Sequence, residues 1–107
     1  AAANSSDASL KENIVDLPNG LNTILALKPR QFDWIGDDAR KQVKGFVAQE
    51  VEEVLPRSVG VDEKTGLKLI SMDSELLPLL VKAIQELKAT IDLQSTELDS
   101  LKQQLGK

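Results

Sequence analysis

"DSELLPLLVKAIQELKATIDLQSTELDSLKQQLGK", residues 73–107, is the most regular stretch of the chain. Leu77, Leu80, Ile84, Leu87, Ile91, Gln94, Leu98, Leu101 and Leu105 recur at alternating spacings of three and four, the heptad pattern that draws one narrow seam along a helix. Leu77, Ile84, Ile91, Leu98 and Leu105 form one core set; Leu80, Leu87, Gln94 and Leu101 form the other. The helix would be roughly 43 Å long at its standard rise, more than a small head can cover. The seam therefore calls for partner helices. A helix folded back on its own head would show a broader apolar face. Pro78 has no N–H to donate, so the regular helix is expected to begin close to it, with Asp73 closing a preceding turn. Glu86, Lys88, Asp92, Glu97, Asp99 and Lys102 are expected to supply the polar surface. Ile in one core set and Leu in the other leans toward two strands, but the Leu/Ile mixture and Gln94 leave the number open. A buried glutamine is costly without a partner, so Gln94 is expected to meet its symmetry mates and fix their register.

The whole chain has 107 residues, one domain at most, and such a helix takes a large share of them away from any core. That favours assembly with other copies. Thirteen Lys and Arg stand against 17 Asp and Glu, with a formal charge of −4 and a pI near 4.8. This balance argues against a nucleic-acid backbone as partner. The sequence contains no Cys and no His, which removes disulfides, thiolate chemistry and the usual zinc ligands. No spaced Asp/Asn ladder suggests calcium, and no cofactor is implied. The start "AAANSS" has neither the charged nor the apolar segment of a signal peptide, and no apolar run is long enough to suggest a membrane span.

Between the two ends, residues 13–72 read as a compact α+β unit of short elements. "LPNGLNTILALKP" offers a turn at Pro18 to Gly20, then a short helix carrying Leu21, Ile24 and Leu25 that closes before Pro29. "RQFDWI" alternates and puts Phe32 and Trp34 on one face of a strand. "IGDDARKQVK" reads as a polar loop. "GFVAQEVEEVLP" is helical, with Val47, Val51, Val54 and Leu55 on one face and Pro56 as its bound. Its Glu50, Glu52 and Glu53 are expected to form a solvated face, the other reading being that one of them orients the Lys11 region. "SVGVDEKTGLKLIS" reads as two short strands around a turn at Asp62 to Gly66. One sheet combining these with the Phe32 strand, covered by the Val47 to Leu55 helix, would bury all three apolar faces.

Residues 1–12 are small and polar, a flexible entry in which Asp7 or Ser9 could cap a short turn toward Lys11. Ser6 and Lys11 are the chain's most suggestive chemical pair. A serine hydroxyl is a poor nucleophile until a base takes its proton, and a lysine serves as that base only where burial favours its neutral form. Residues five apart do not share a helix face, so a turn must bring the two together. On these residues alone, incidental occurrence is the plainer reading.

The ordered blocks "SDASLKENI", "LKPRQFDW", "GFVAQEVEEVLP" and "ELLPLLVKAIQELKATI" together resemble the carboxyl-terminal intramolecular chaperone domain of bacteriophage tail spikes, tail fibres and endosialidases. The resemblance covers roughly residues 5 to 95, and the same type of domain occurs in some other trimeric proteins, including membrane-associated transcription factors. It implies a small α+β head at residues 6–72 followed by a carboxyl-terminal helix at 73–107 that forms a homotrimeric parallel coiled coil. It also implies a role in registering and folding an upstream β-rich fibre in cis, in the host cytoplasm during virion assembly, followed by release. Release implies self-cleavage before the serine of an "S-D-x-x-L-K" block, matched here by Ser6, with the block's lysine, Lys11, as general base. Ser5, Asp7, Gly45 and Glu50 are the expected surroundings of the cut. Several relatives place a histidine two positions before the glycine matched by Gly45, where this chain has Val43. That departure bears on the rate and the arrangement of the base more than on the dyad.

Residues 1–5 are read as a leader or a remnant of the upstream chain, on the acyl side of a cut before Ser6. The readings of that remnant are artificial leader residues, slow or fibre-dependent cutting, or a cut at Ser5 instead. A function of another class is a non-catalytic structural trimerisation or adhesion module in which the Ser/Lys pair is incidental; a peptide or coiled-coil adaptor acting in trans is a third. All of these need the seam covered. Analytical ultracentrifugation of the 107-residue chain should give an oligomer, and a stable monomer would contradict the seam as an association surface.

Overall fold

The computed structural model describes residues 5–71 and 75–106. Its element order is a single 3-10 turn at Ala8–Leu10, helix α1 at Leu21–Ala26, strands β1 at Arg30–Phe32 and β2 at Val43–Gly45, and helix α2 at Ala48–Val54. A second 3-10 turn at Pro56–Ser58, strands β3 at Val59–Val61 and β4 at Lys68–Ile70, and helix α3 at Leu76–Leu105 follow. No described helix is long and apolar enough to cross a membrane. Asp73, expected to close a turn before α3, lies outside the described residues, as do residues 1–4.

Among the described residues the strands form two separate antiparallel pairs rather than one sheet. β1 pairs β2 in the register Arg30–Gly45, Gln31–Lys44 and Phe32–Val43, and β3 pairs β4 as Val59–Ile70, Gly60–Leu69 and Val61–Lys68. This corrects the expected single sheet and takes Val43 and Lys44 out of the loop read from "IGDDARKQVK". The cause is local. The chain reverses through Gly36 and Gln42, both at positive φ, and the Asp33 carboxylate accepts from the Gln42 N–H at 2.8 Å. The nearest segment then supplies the partner for β1. Trp34 lies beyond the strand, in edge-to-face contact with Phe32 at 5.3 Å between ring centres, with the Arg40 guanidinium 4.9 Å from its own ring centre.

The second hairpin follows its expected turn. The Asp62 carboxylate accepts from the Lys64 N–H, the Gly66 N–H donates to Asp62 O at 2.7 Å, and Gly66 sits at φ 72, where a side chain would be strained. α2 is fastened to both hairpins through its glutamates: Glu50 takes Arg30 of β1, and Glu52 pairs with Lys68 of β4. The solvated glutamate face expected of this helix is thus, at two positions, a set of cross-links.

α1 seats on α3 through Gly20. This buried residue caps α1, and a Cβ there would stand 2.6 Å from Leu79 O and 3.0 Å from Lys82 Cβ. The Glu86 carboxylate accepts from the Gly20 N–H at 2.6 Å and from the Leu21 N–H at 3.3 Å, satisfying amides that the start of a helix leaves open. Glu86 is therefore a tertiary cap, not the plain surface residue its heptad position suggested. Nearby, buried Ser58 donates its hydroxyl to Glu75 at 2.6 Å, tying the second 3-10 turn to the start of α3.

α3 begins two residues before Pro78, as expected, and presents two faces. Leu76, Leu79, Lys82, Ala83 and Glu86 are buried or half-buried on the head side. Leu77, Leu80, Ile84, Leu87, Ile91, Leu98, Leu101 and Leu105 are exposed, and so is Gln94. Among the described residues, the buried apolar side chains are Val51, Leu55 and Ala83. Trp34, Val47 and Leu69 remain exposed along an open groove of about 600 Å³ between the hairpins, so the expected burial of all three faces does not occur within one chain.

Gly20→Ala should lower unfolding stability by about 2 to 3 kcal/mol, because the added methyl meets backbone that cannot move aside. Denaturant unfolding monitored by circular dichroism reads the change, and an unaltered midpoint would show that α1 is not seated on α3.

Candidate functional site

The segment around Ser6 and Lys11 is built by one turn and its cap. Asp7 is extended, at φ −67 and ψ 144, and its Oδ1 accepts from the Ser9 N–H at 2.9 Å and from the Ser9 hydroxyl at 2.7 Å. The Leu10 and Lys11 N–H groups then donate to Asp7 O and Ala8 O, both at 3.1 Å, closing the 3-10 turn. Lys11 leaves the turn extended, and Asn13, at φ 55, redirects the chain. Asparagine is among the residues that tolerate that conformation. Three turn residues between extended flanks double the chain back. As a result Lys11 Nζ donates to Ser6 Oγ at 2.6 Å.

This is the contact that helical spacing alone would not give. Ser5, Ser6, Asp7 and Lys11 are all exposed in the single chain. The two hydrogen bonds from Ser9 hold the Asp7 carboxyl below its ordinary range, so it stays ionised in its capping role. Lys11 Nζ is placed to exchange a proton with Ser6 Oγ.

Gly45 and Glu50, expected near the cut, have other described partners. Gly45 faces Arg30 across the first hairpin, and a Cβ on it would meet the Phe32 ring at 3.2 Å. Its missing side chain therefore makes room for that ring. Glu50 accepts from Arg30 Nε at 2.9 Å and Nη2 at 2.6 Å, a forked pair. Among the described residues, no side-chain hydrogen bond or ion pair joins Glu50 to Ser6 or Lys11. Val43 is half-buried in β2 opposite Phe32. Arg30 was missed as a partner because nothing in "KPRQF" signals a residue twenty positions away.

Residues 6–60 match the sequence profile of a peptidase-designated family described as chaperone of endosialidase. The chain belongs to this family. The match begins at Ser6 and takes in the capped turn, both strands of the first hairpin, α2 and the start of β3. The chain is 32% identical over 91 residues, 80% of its length, to long tail fiber protein Gp37 of Enterobacteria phage K3. It is 33% identical over 99 residues, 87% of its length, to long tail fiber protein Gp37 of Enterobacteria phage M1. It spans only 7% of the length of the first relative and 39% of the second. The chaperone-of-endosialidase domain is thus found within phage tail fibre proteins, and the apolar seam of α3 lies wholly beyond the matched profile.

The Arg30 guanidinium, and less strongly the charge of Lys28, hold the Glu50 carboxyl below its ordinary value of 4.5. A depressed carboxyl contributes stability above its unfolded value and loses it as pH falls through the folded one. Acid unfolding of the wild type should therefore steepen below about pH 4.5, and Glu50→Gln should remove part of that dependence. Identical pH profiles for the two proteins would count against the forked pair.

Proposed function

We propose that the chain is an intramolecular chaperone that aids trimerisation and folding of an upstream phage tail fibre or spike, and releases itself by a single cut before Ser6. In this reading residues 6–72 are the autoprocessing head and 73–107 the oligomerisation helix, with the exposed seam of α3 closing on two further copies. The observation that carries the catalytic part is the 2.6 Å contact of Lys11 Nζ with Ser6 Oγ at the start of the family match. The tail-fibre relatives support the fibre as the partner in cis.

The reaction needs no separate substrate, since the bond to be cut precedes the nucleophile. Lys11, as the neutral amine, takes the Ser6 hydroxyl proton while Oγ attacks the carbonyl carbon of Ser5. The Ser5 C–N bond breaks, the proton passes from Lys11 to the leaving Ser6 amine, and Ser5 is left as an ester on Ser6 Oγ. Water then attacks the ester, giving a Ser5 carboxylate and restoring the Ser6 hydroxyl. Holding nucleophile, base and carbonyl in one turn supplies the proximity that a binding site would otherwise provide. The developing oxyanion needs donors, and the Lys11 ammonium formed in the first step is one such charge.

Extending the chain upstream with its native fibre and following it by mass spectrometry tests the proposal. The expected product is a carboxyl-terminal fragment beginning at Ser6, absent in Ser6→Ala and slowed at least a hundredfold, on the order of a lost general base, in Lys11→Ala. A wild-type protein that folds and trimerises yet stays whole would leave the non-catalytic trimerisation module as the function. A fibre that folds equally well with the domain deleted would remove the chaperone role.

A further inference from the structure

We infer that Asp7 is the positioning residue of the cut: its carboxylate, bound to the Ser9 amide and hydroxyl, holds the turn that lays Lys11 on Ser6. The inference rests on the autoprocessing reading above and deepens it. Ser6 and Lys11 are separated by four residues and are exposed, so no packing fixes their distance. What fixes it is the turn Ala8–Leu10, and described long-range side-chain hydrogen bonds to this turn are absent. Its closure depends on two backbone hydrogen bonds of 3.1 Å and on the Asp7 cap at 2.9 and 2.7 Å. A three-residue turn with so few bonds is marginal, and an aspartate at its cap shifts the balance between turn and open chain.

The same two bonds settle which group Lys11 meets. An aspartate four residues before a lysine is a natural ion-pair partner, and such a pair would engage the amine that the reaction needs free. Here Oδ1 of Asp7 faces back into the turn toward Ser9, and among the described residues no ion pair joins Asp7 to Lys11. Lys11 Nζ instead lies on the Ser6 hydroxyl. Among the described residues the Asp7 carboxylate makes no hydrogen bond to Ser6 or Lys11, so it acts through the turn.

The fibre-extended chain carries the test. Cleavage rate should fall about fivefold in Asp7→Ala, the equivalent of losing one cap, and stay within about twofold of wild type in Asp7→Asn, whose carbonyl oxygen accepts the same Ser9 N–H. Ser9→Ala, which keeps the amide donor, should fall between them. The unfolding midpoint and trimer content should not change in any of these, which separates positioning from a general loss of structure. A nuclear Overhauser contact between the Lys11 ε-methylene and the Ser6 β-methylene in the 107-residue chain should be present in wild type and Asp7→Asn and lost in Asp7→Ala. An Asp7→Ala protein that cuts at the wild-type rate overturns the inference while leaving the Ser6 and Lys11 reaction intact. An Asp7→Asn protein as slow as Asp7→Ala also overturns it, by assigning the effect to charge. A wild type that is never cut overturns the autoprocessing reading itself, and the catalytic meaning of Asp7 with it.

Discussion

The head meets α3 at a place where no side chain fits. Gly20 brings the start of α1 against the α3 backbone at Leu79, where a Cβ would be 2.6 Å from the carbonyl oxygen. Glu86, two turns further along α3, accepts from the two amides that open α1. The contact therefore combines a steric requirement with an electrostatic one: the close approach brings the carboxylate into reach, and the carboxylate compensates amides that the approach takes away from water. Leu55, Ala83 and the Ser58–Glu75 bond lie around the same end of α3.

The head-facing and exposed faces of α3 are set one residue apart. Leu76, Leu79, Ala83 and Glu86 turn toward the head, and each precedes a seam residue: Leu77, Leu80, Ile84 and Leu87. One residue is about 100° of helix rotation, so the head cannot cover the seam and the seam cannot be buried by the head. Past Glu86 every described residue of the helix is exposed, and from Leu87 to Leu105 it runs on for about 28 Å. On the proposed trimeric reading, the rotation of α3 that closes the seam also fixes where each head stands. Head and stalk would then be in one register by construction.

Local patterns carried most of the element positions. The heptads, the α1 and α2 periodicities and the turn from Asp62 to Gly66 all depend on neighbours within a few residues, and the helices and second hairpin lie where those patterns put them. β2 was hidden because "VKG" is too short to show alternation and follows a polar run. The single sheet failed because the two hairpins each close on their own nearest strand. Glu86 looked like surface because its partners are 66 and 65 residues earlier, beyond any periodic signal. Glu50 and Glu52 hid for the same reason, their partners Arg30 and Lys68 lying in strands. At the candidate site, residue types offered Asp7 or Ser9 as the cap without choosing between them, and the need for a turn was readable. The Ser6 to Lys11 distance was not, because a five-residue separation has no fixed geometry until the turn type is known.

The exposure of that turn bears on when the proposed reaction can run. A lysine accepts a proton only as the neutral amine, and surroundings poor in water favour that form. Residues 5–19 are exposed in the single chain. The same segment carries Leu10, Ile14 and Val15, apolar side chains with no cover of their own. On the proposed reading, the surface that buries those three residues also dries the dyad between and beside them. A neighbouring copy or the end of the fibre is the natural source of that surface. On that reading, the capped turn would set the geometry of the cut locally, and assembly would supply the surface that covers it.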